Sequence, residues 1–203
     1  MALEDVQIID NFCSQEYFDQ LKEWIEVAQP WSLSSLAGFG APNMPDEETQ
    51  RYIDHFKDLP PDANIQFVAT HIAFSPTYFI SDNFPRFIPL FQNLKARVPV
   101  RLKVNLNVAK EQHIHAPYHH DANPPEVYGD NCTVAILHLT TCNGWTSILH
   151  PDLDNFEQKI DTVANRVIIF SNKYQHRGVA CTDQPYRSVI NLNYYGEKLK
   201  AHK

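Results

Sequence analysis

The stretch VRLKVNLNVA, residues 100–109, alternates without a break. Val100, Leu102, Val104, Leu106 and Val108 point one way; Arg101, Lys103, Asn105 and Asn107 point the other. A period of two is that of a β-strand, whose successive side chains leave opposite faces of the sheet. Its apolar face belongs on a core. What its polar face lines is the question the rest of the chain has to answer.

Downstream, a loop at 111–131 (EQHIHAPYHHDANPPEVYGDN) leads to the strand CTVAILHLTT at 132–141, the turn CNG and the strand WTSILH at 145–150. A second loop, 151–165, precedes RVIIFS at 166–171. The turn NKYQHRG at 172–178, the short VACT at 179–182, a turn at DQP and the long strand YRSVINLNYY at 186–195 complete this half. Upstream, VQIIDNF at 6–12 reads as a strand-like lead-in. Ser14 offers an N-cap to a helix over 14–29, whose Phe18, Leu21, Trp24, Ile25 and Ala28 recur at threes and fours. Residues 31–46 read as loop, 46–59 as a second helix, 65–74 as a strand and 84–98 as a third helix, with a frayed tail at 198–203. Helices first, then about seven short strands punctuated by turns, predict an α+β chain dominated by β, a sandwich or barrel braced by its N-terminal helices.

At 203 residues the chain suits one domain, 1–203, with helical support and first strands over 1–98 and the β core over 99–196. The net charge of -7 argues against a nucleic-acid partner, which needs a basic face. No apolar run is long enough to span a membrane, and the N-terminus lacks the basic and apolar regions of a secretory signal. Cys13, Cys132, Cys142 and Cys181 form no C-x-x-C pair and read as reduced thiols in a cytoplasmic setting. Nothing in the sequence sets an oligomeric state.

Six of the ten histidines fall between His113 and His150, and PYHHDANPP at 117–125 is the densest cluster. Two neutral imidazoles and one carboxylate on one face of a metal leave positions open and suit ferrous iron. His119 and Asp121, in a loop after a strand, could supply two of these ligands, and His176 the third from a later strand. Arg187, with Val189, Asn191 and Asn193, lies on one face of the last strand, and its planar fork matches a carboxylate. Asn105, Asn107 and Asn193 are candidate lining residues. His120 reads as outward or substrate-facing, Tyr118 and Trp145 as packing residues, and Arg166 as one half of a structural ion pair.

Taken together, HHD, LHLTTCNGWT, ANRVIIFSNKYQHRGVACTD and YRSVINLNYY resemble, in order, motifs of the prolyl-4-hydroxylase-like 2-oxoglutarate/Fe(II) dioxygenases. The motifs are that family's HxD, its strand pair bearing GGxT, its distal histidine and its arginine-bearing final strand. The likeness covers residues 100–195 well and the N-terminus loosely, and is strongest to compact members of bacteriophages of cyanobacteria. It implies a double-stranded β-helix, or jelly roll, with His119, Asp121 and His176 as catalytic iron ligands. It implies Arg187 as anchor of the distal carboxylate of 2-oxoglutarate, and dioxygen as co-substrate, with ascorbate as a further cofactor. His138 falls where many hydroxylases carry a tyrosine that touches 2-oxoglutarate, and the GGxT motif stands here as Asn143-Gly144-Trp145-Thr146. The asparagines before the HxD motif would take over the contact of the family's tyrosine there. The substrate so implied is a peptidyl proline or a small molecule, hydroxylated with release of succinate and carbon dioxide, in the host cytoplasm if the chain is phage-encoded. Asp121 disfavours halogenation. Asn193, where nucleic-acid demethylases carry a second arginine, disfavours that activity. Two rivals remain: a non-catalytic metal-binding or sensing jelly roll, and a zinc hydrolase built on His113, His115 and His119.

Overall fold

The computed structural model describes residues 6–27, 32–34, 68–75, 79–80, 82–121, 131–150 and 156–197. In chain order its elements are β1 (Gln7–Ile9), α1 (Gln15–Val27), β2 (Ser32–Ser34), β3 (Val68–Ser75), β4 (Phe79–Ile80), a 3-10 turn (Phe84–Phe87) and α2 (Ile88–Asn93). Then follow β5 (Ala96–Val108), β6 (Thr133–His138), β7 (Trp145–Leu149), β8 (Glu157–Asp161), β9 (Val167–Ser171), β10 (Gln175–Val179) and β11 (Tyr186–Gly196).

The alternation at 100–108 lies in β5, the longest strand described. It pairs antiparallel with β11 on one side and β3 on the other. The large sheet runs β1-β9-β6-β11-β5-β3-β2, with β4 on β3; the small sheet runs β10-β7-β8. Pro99 pairs with Tyr194 beside the register shift between Asn193 and Tyr194, an irregularity at which a strand tolerates a proline.

The two faces of the large sheet have separate cores. On the outer face Leu102, Val104, Ala135, Leu137, Val167, Ile169, Ile190, Leu192 and Tyr194 pack against Phe18, Leu21 and Ile25 of α1 and against Phe87, Leu90, Phe91 and Leu94 around α2. Ser14 caps α1, its Oγ accepting the Tyr17 N–H at 3.4 Å. On the inner face Val134, Ile136, Ile168, Phe170 and Val189 meet Ile148 and Ile160 of the small sheet. Two facing antiparallel sheets with helices on the outside are the double-stranded β-helix that the motifs implied.

Several elements differ from the sequence reading. The third helix stops at Asn93, because Lys95 takes a left-handed φ of 53° and turns the chain into β5. The loop at 151–165 contains β8, a largely polar edge strand with Ile160 as its one buried residue. The supposed turn NKYQHRG becomes β10 from Gln175 onward, and of VACT only Val179 is strand. Part of the supposed loop at 31–46 is β2. Eleven strands are described: the seven from β5 to β11 follow the last helix, the number expected there, while β1 to β4 precede it. The helix expected over 46–59 and the tail at 198–203 lie outside the described residues.

Candidate active site

His119 and His176 sit directly opposite one another and exchange both backbone hydrogen bonds, His119 N–H to His176 O at 3.1 Å and the reverse at 3.0 Å. The HxD segment is therefore stitched to the edge of β10. This register puts the two imidazoles side by side, ring centroids 4.6 Å apart. Asp121, two residues on, turns its carboxylate to the same place. The Nε2 of His119 lies 3.7 Å from Asp121 Oδ1, and the Nε2 of His176 lies 3.4 Å from Oδ2. The three ligand atoms fall within 4.8 Å of one another.

The surroundings hold this constellation in place. Arg101 donates through Nη1 to the Asp121 carbonyl at 3.0 Å and sets Nη2 3.5 Å from its carboxylate. Asn193 Nδ2 donates to Asp121 Oδ2 at 3.3 Å. His119 Nδ1 bonds the Pro117 carbonyl at 3.0 Å, which leaves Nε2 for a metal. Burial pushes the Asp121 carboxyl up, but the His176, Arg101 and His119 charges outweigh it and hold the group well below the usual carboxylate range. Burial lowers both imidazoles, His176 to about 4, so near neutral pH both are uncharged, the state that ligates metal. The donor set of two imidazole nitrogens and one carboxylate thus fits ferrous iron. The His119 side chain keeps 43% exposure while those of Asp121 and His176 are buried, so the site opens at His119.

The polar face of β5 and its partner face on β11 run inward from this end. Register pairs Arg101 with Asn193, Lys103 with Asn191, Asn105 with Val189 and Asn107 with Arg187. Arg187, only 3% exposed, lies at the far end. Its Nε donates to Thr162 Oγ1 at 2.8 Å and its Nη2 to Thr146 Oγ1 at 2.7 Å, while His138 Nε2 stands 3.3 Å from the same Thr146 hydroxyl. Burial lowers the guanidinium to about 10 and the neighbouring Cys142 and Cys181 raise it, so it stays charged. Gly144 and Gly178 give it room: a Cβ on the first would stand 3.0 Å from Arg187 Cδ, and on the second 3.1 Å from Nη1. Asn105 Oδ1, Asn191 Oδ1, Asn193 Oδ1 and His138 Nδ1 are buried without a hydrogen-bond partner. These atoms share one inward lining with the histidines and Arg187, where a polar ligand or water would satisfy them.

The structure therefore gathers His119, Asp121 and His176 at one end and Arg187 with His138 at the other. Asn105 and Asn107 lie along the lining, and Asn193 supports the carboxylate. His113 and His115 stand apart from that cluster: their rings pack on Trp145 at 4.9 and 5.5 Å, and His113 Nδ1 bonds the Ala180 carbonyl. The zinc set His113, His115 and His119 is not assembled; His119 groups with Asp121 and His176 instead. His120 bonds the Asn172 carbonyl through Nδ1, and Arg166 makes the expected ion pair, with Asp10 at 2.6 and 3.0 Å. Sequence reading missed Thr146 and Thr162 as supports of Arg187, and Arg101 and Lys103 as lining. The last two were signalled by the same alternation that singled out Asn105 and Asn107.

A scan against models of protein families gave no match, and a search of curated proteins gave none either. Solved structures did match in fold. A prolyl hydroxylase of Trichoplax adhaerens, in complex with a hypoxia inducible factor oxygen degradation domain peptide fragment, aligns with a TM-score of 0.57 at 15% identity, over 96% of this chain and 84% of that one. A Pseudomonas putida prolyl-4-hydroxylase aligns with a TM-score of 0.54 at 11% identity, over 95% and 93%. The non-heme alpha ketoglutarate dependent epimerase SnoN from nogalamycin biosynthesis aligns at 0.54 and 10%, over 95% and 78%. The likeness is one of fold. Among the described residues no helix is long and apolar enough to cross a membrane.

Proposed function

We propose that this protein is an iron(II)- and 2-oxoglutarate-dependent oxygenase that hydroxylates a peptidyl proline or a small molecule. The observation that carries the reading is the polar lining with two imidazoles and a carboxylate at one end and a buried arginine at the other. His119, Asp121 and His176 would hold the iron on one face. Arg187, its fork fixed by Thr146 and Thr162, would pair with the distal carboxylate of 2-oxoglutarate. Asn105, Asn107 and His138 would offer hydrogen bonds along the co-substrate, and Asn193 and Arg101 would keep Asp121 aimed. Ile136, Ile148, Phe170 and Val189 make the apolar side of the interior and exclude water. When bound, ferrous iron and 2-oxoglutarate supply the oxidising chemistry: dioxygen is reduced, the keto acid is split to succinate and carbon dioxide, and a substrate C–H bond is hydroxylated.

The fold similarity to prolyl hydroxylases supports this reading at the level of architecture. The likeness to phage-type members rests on the sequence motifs alone. The proposed setting is cytoplasmic, that of a host if the gene is a phage's, and four free cysteines agree with it. Ascorbate would serve as external reductant.

The test is uncoupled turnover. Purified protein given ferrous iron, 2-oxoglutarate, ascorbate and air should form succinate slowly, and Asp121→Ala should form none. Tight iron binding with no succinate under any substrate mixture, peptidyl prolines included, would favour a sensing protein instead.

A further inference from the structure

Lys103 is a lysine with no evident reason to be inside. It is 4% exposed, on the polar face of β5 between Arg101 and Asn105. Among the described residues its ammonium forms no salt bridge and no hydrogen bond, although its charge is felt at Asp121 and His119. Burial lowers its ammonium to about 7 against the pull of Asp121, so the charge is held there at a cost, and replacing such a group with an apolar one of similar shape often stabilises a protein. Across the ladder stands Asn191, whose Oδ1 is orphaned, and Asn105 Oδ1 beside Lys103 is orphaned too. Asn191 already lends its amide to Asp121, and Asn105 is the amide that can turn its NH₂ toward an anion.

The same lining carries a second buried cation, Arg187, four residues along β11 from the partner of Lys103. At about 3.3 Å per residue the two backbones are separated by roughly 13 Å, and two long side chains leaning inward shorten the gap. Arg101, Lys103 and Arg187 face the interior against one carboxylate, Asp121. The excess of positive charge is spread over both ends of the lining rather than collected at one.

We propose that Lys103 is a second carboxylate anchor, binding the carboxylate beside the keto group of 2-oxoglutarate while Arg187 binds the distal one. The assignment rests on the oxygenase reading above and adds a binding residue to it. Lys103 stands nearer the metal ligands than Arg187 does, because its register neighbours are Arg101 and Asn193, which both bond Asp121. A dicarboxylate reaching from the metal to Arg187 has to pass it. The buried lysine is then explained as a group whose partner arrives with the ligand.

The experiment compares two keto acids on protein loaded with manganese(II), which avoids turnover. 2-Oxoglutarate carries both carboxylates; 2-oxopentanoate, of the same chain length, lacks the distal one. Calorimetric titration of wild type, Lys103→Met and Arg187→Met separates the two anchors. Lys103→Met should weaken both ligands at least tenfold, and Arg187→Met should weaken 2-oxoglutarate alone. Lys103→Met should also melt at a higher temperature than wild type without ligand and gain less on adding 2-oxoglutarate. Lys103→Gln repeats the titration should the methionine variant fold poorly. Unchanged affinity for both keto acids in the Lys103 variants would overturn the assignment, and so would a loss confined to 2-oxoglutarate. Binding of neither acid to metal-loaded wild type would instead defeat the oxygenase reading itself.

Discussion

Gly144 shows how much of the site depends on what is absent from a side chain. A methyl group there would stand 2.7 Å from the Val179 carbonyl oxygen and 3.0 Å from both the Cys181 nitrogen and Arg187 Cδ. Two of these neighbours are backbone, so the strand ends cannot simply swing aside. Gly144→Ala should lower stability by about 1–3 kcal/mol, the usual cost of overpacking, and displace Arg187. Denaturant unfolding would show the first effect. Calorimetry should show weaker 2-oxoglutarate binding with unchanged metal affinity; unaltered keto-acid binding would mean that the guanidinium is not the anchor. At this scale the sequence was most readable where spacing and order carry geometry. His119 and Asp121 share a side because they are two apart, and Arg187 and Asn193 share a face of β11 because their spacing is also even. The threonines that hold Arg187 were unreadable as such, because Thr146 and Thr162 come from different segments and meet only in the folded chain.

Asn165 joins elements that sequence leaves far apart. It turns the chain between β8 and β9 at a φ of 61°, a conformation asparagine tolerates better than most residues. Its side chain accepts the Cys13 N–H and donates to the Cys13 carbonyl, each at 2.9 Å, across 152 residues. The segment leading into α1 is thereby tied to the back of the β core. Asn165→Ala loses both buried bonds and adds strain, and should cost about 2–4 kcal/mol, read as a lower denaturation midpoint with little change in slope. A loss under about 0.5 kcal/mol would show that water replaces the clamp. Elements were legible in proportion to their apolar periodicity. Alternation in β5 and β11 and the three-four spacing of α1 each found a matching element. β8 was taken for loop because an edge strand with one buried residue has little alternation to display. β10 was taken for turn because Gln175-His176-Arg177-Gly178 contains no strong strand former; pairing with β7 and with the HxD segment makes it a strand.

Over the whole molecule, the division of labour follows from the two faces of one sheet. The outer face carries the helices and an unbroken apolar cluster, so the fold can stand on that core. The inner face is apolar along β6 and β9 and polar along β5 and β11, which leaves β5 and β11 to line the ligand site. The question raised by VRLKVNLNVA is answered there: its polar face lines the candidate site. The apolar face fades toward its C-terminal end, where Leu106 is half-buried and Val108 exposed, while Asn107 opposite Arg187 is buried. A sequence shows such a face as polar; only the fold shows it as interior. The protein carries a net charge of -7, yet Arg101, Lys103 and Arg187 stand on the inner face of β5 and β11, where the proposed 2-oxoglutarate would bind.

The central claim is that one interior holds both a metal and a keto acid. The measurement that meets it most directly is an anaerobic titration of metal-free protein with ferrous iron and then 2-oxoglutarate, watching for the visible charge-transfer band of the chelate. The account predicts a band in wild type and none in His119→Ala. In Arg187→Met the band should appear only at keto-acid concentrations about thirtyfold higher or more, the loss expected when one partner of a buried ion pair is truncated, with iron affinity unchanged. No band in wild type, or equal loss of iron and keto acid in Arg187→Met, would contradict it.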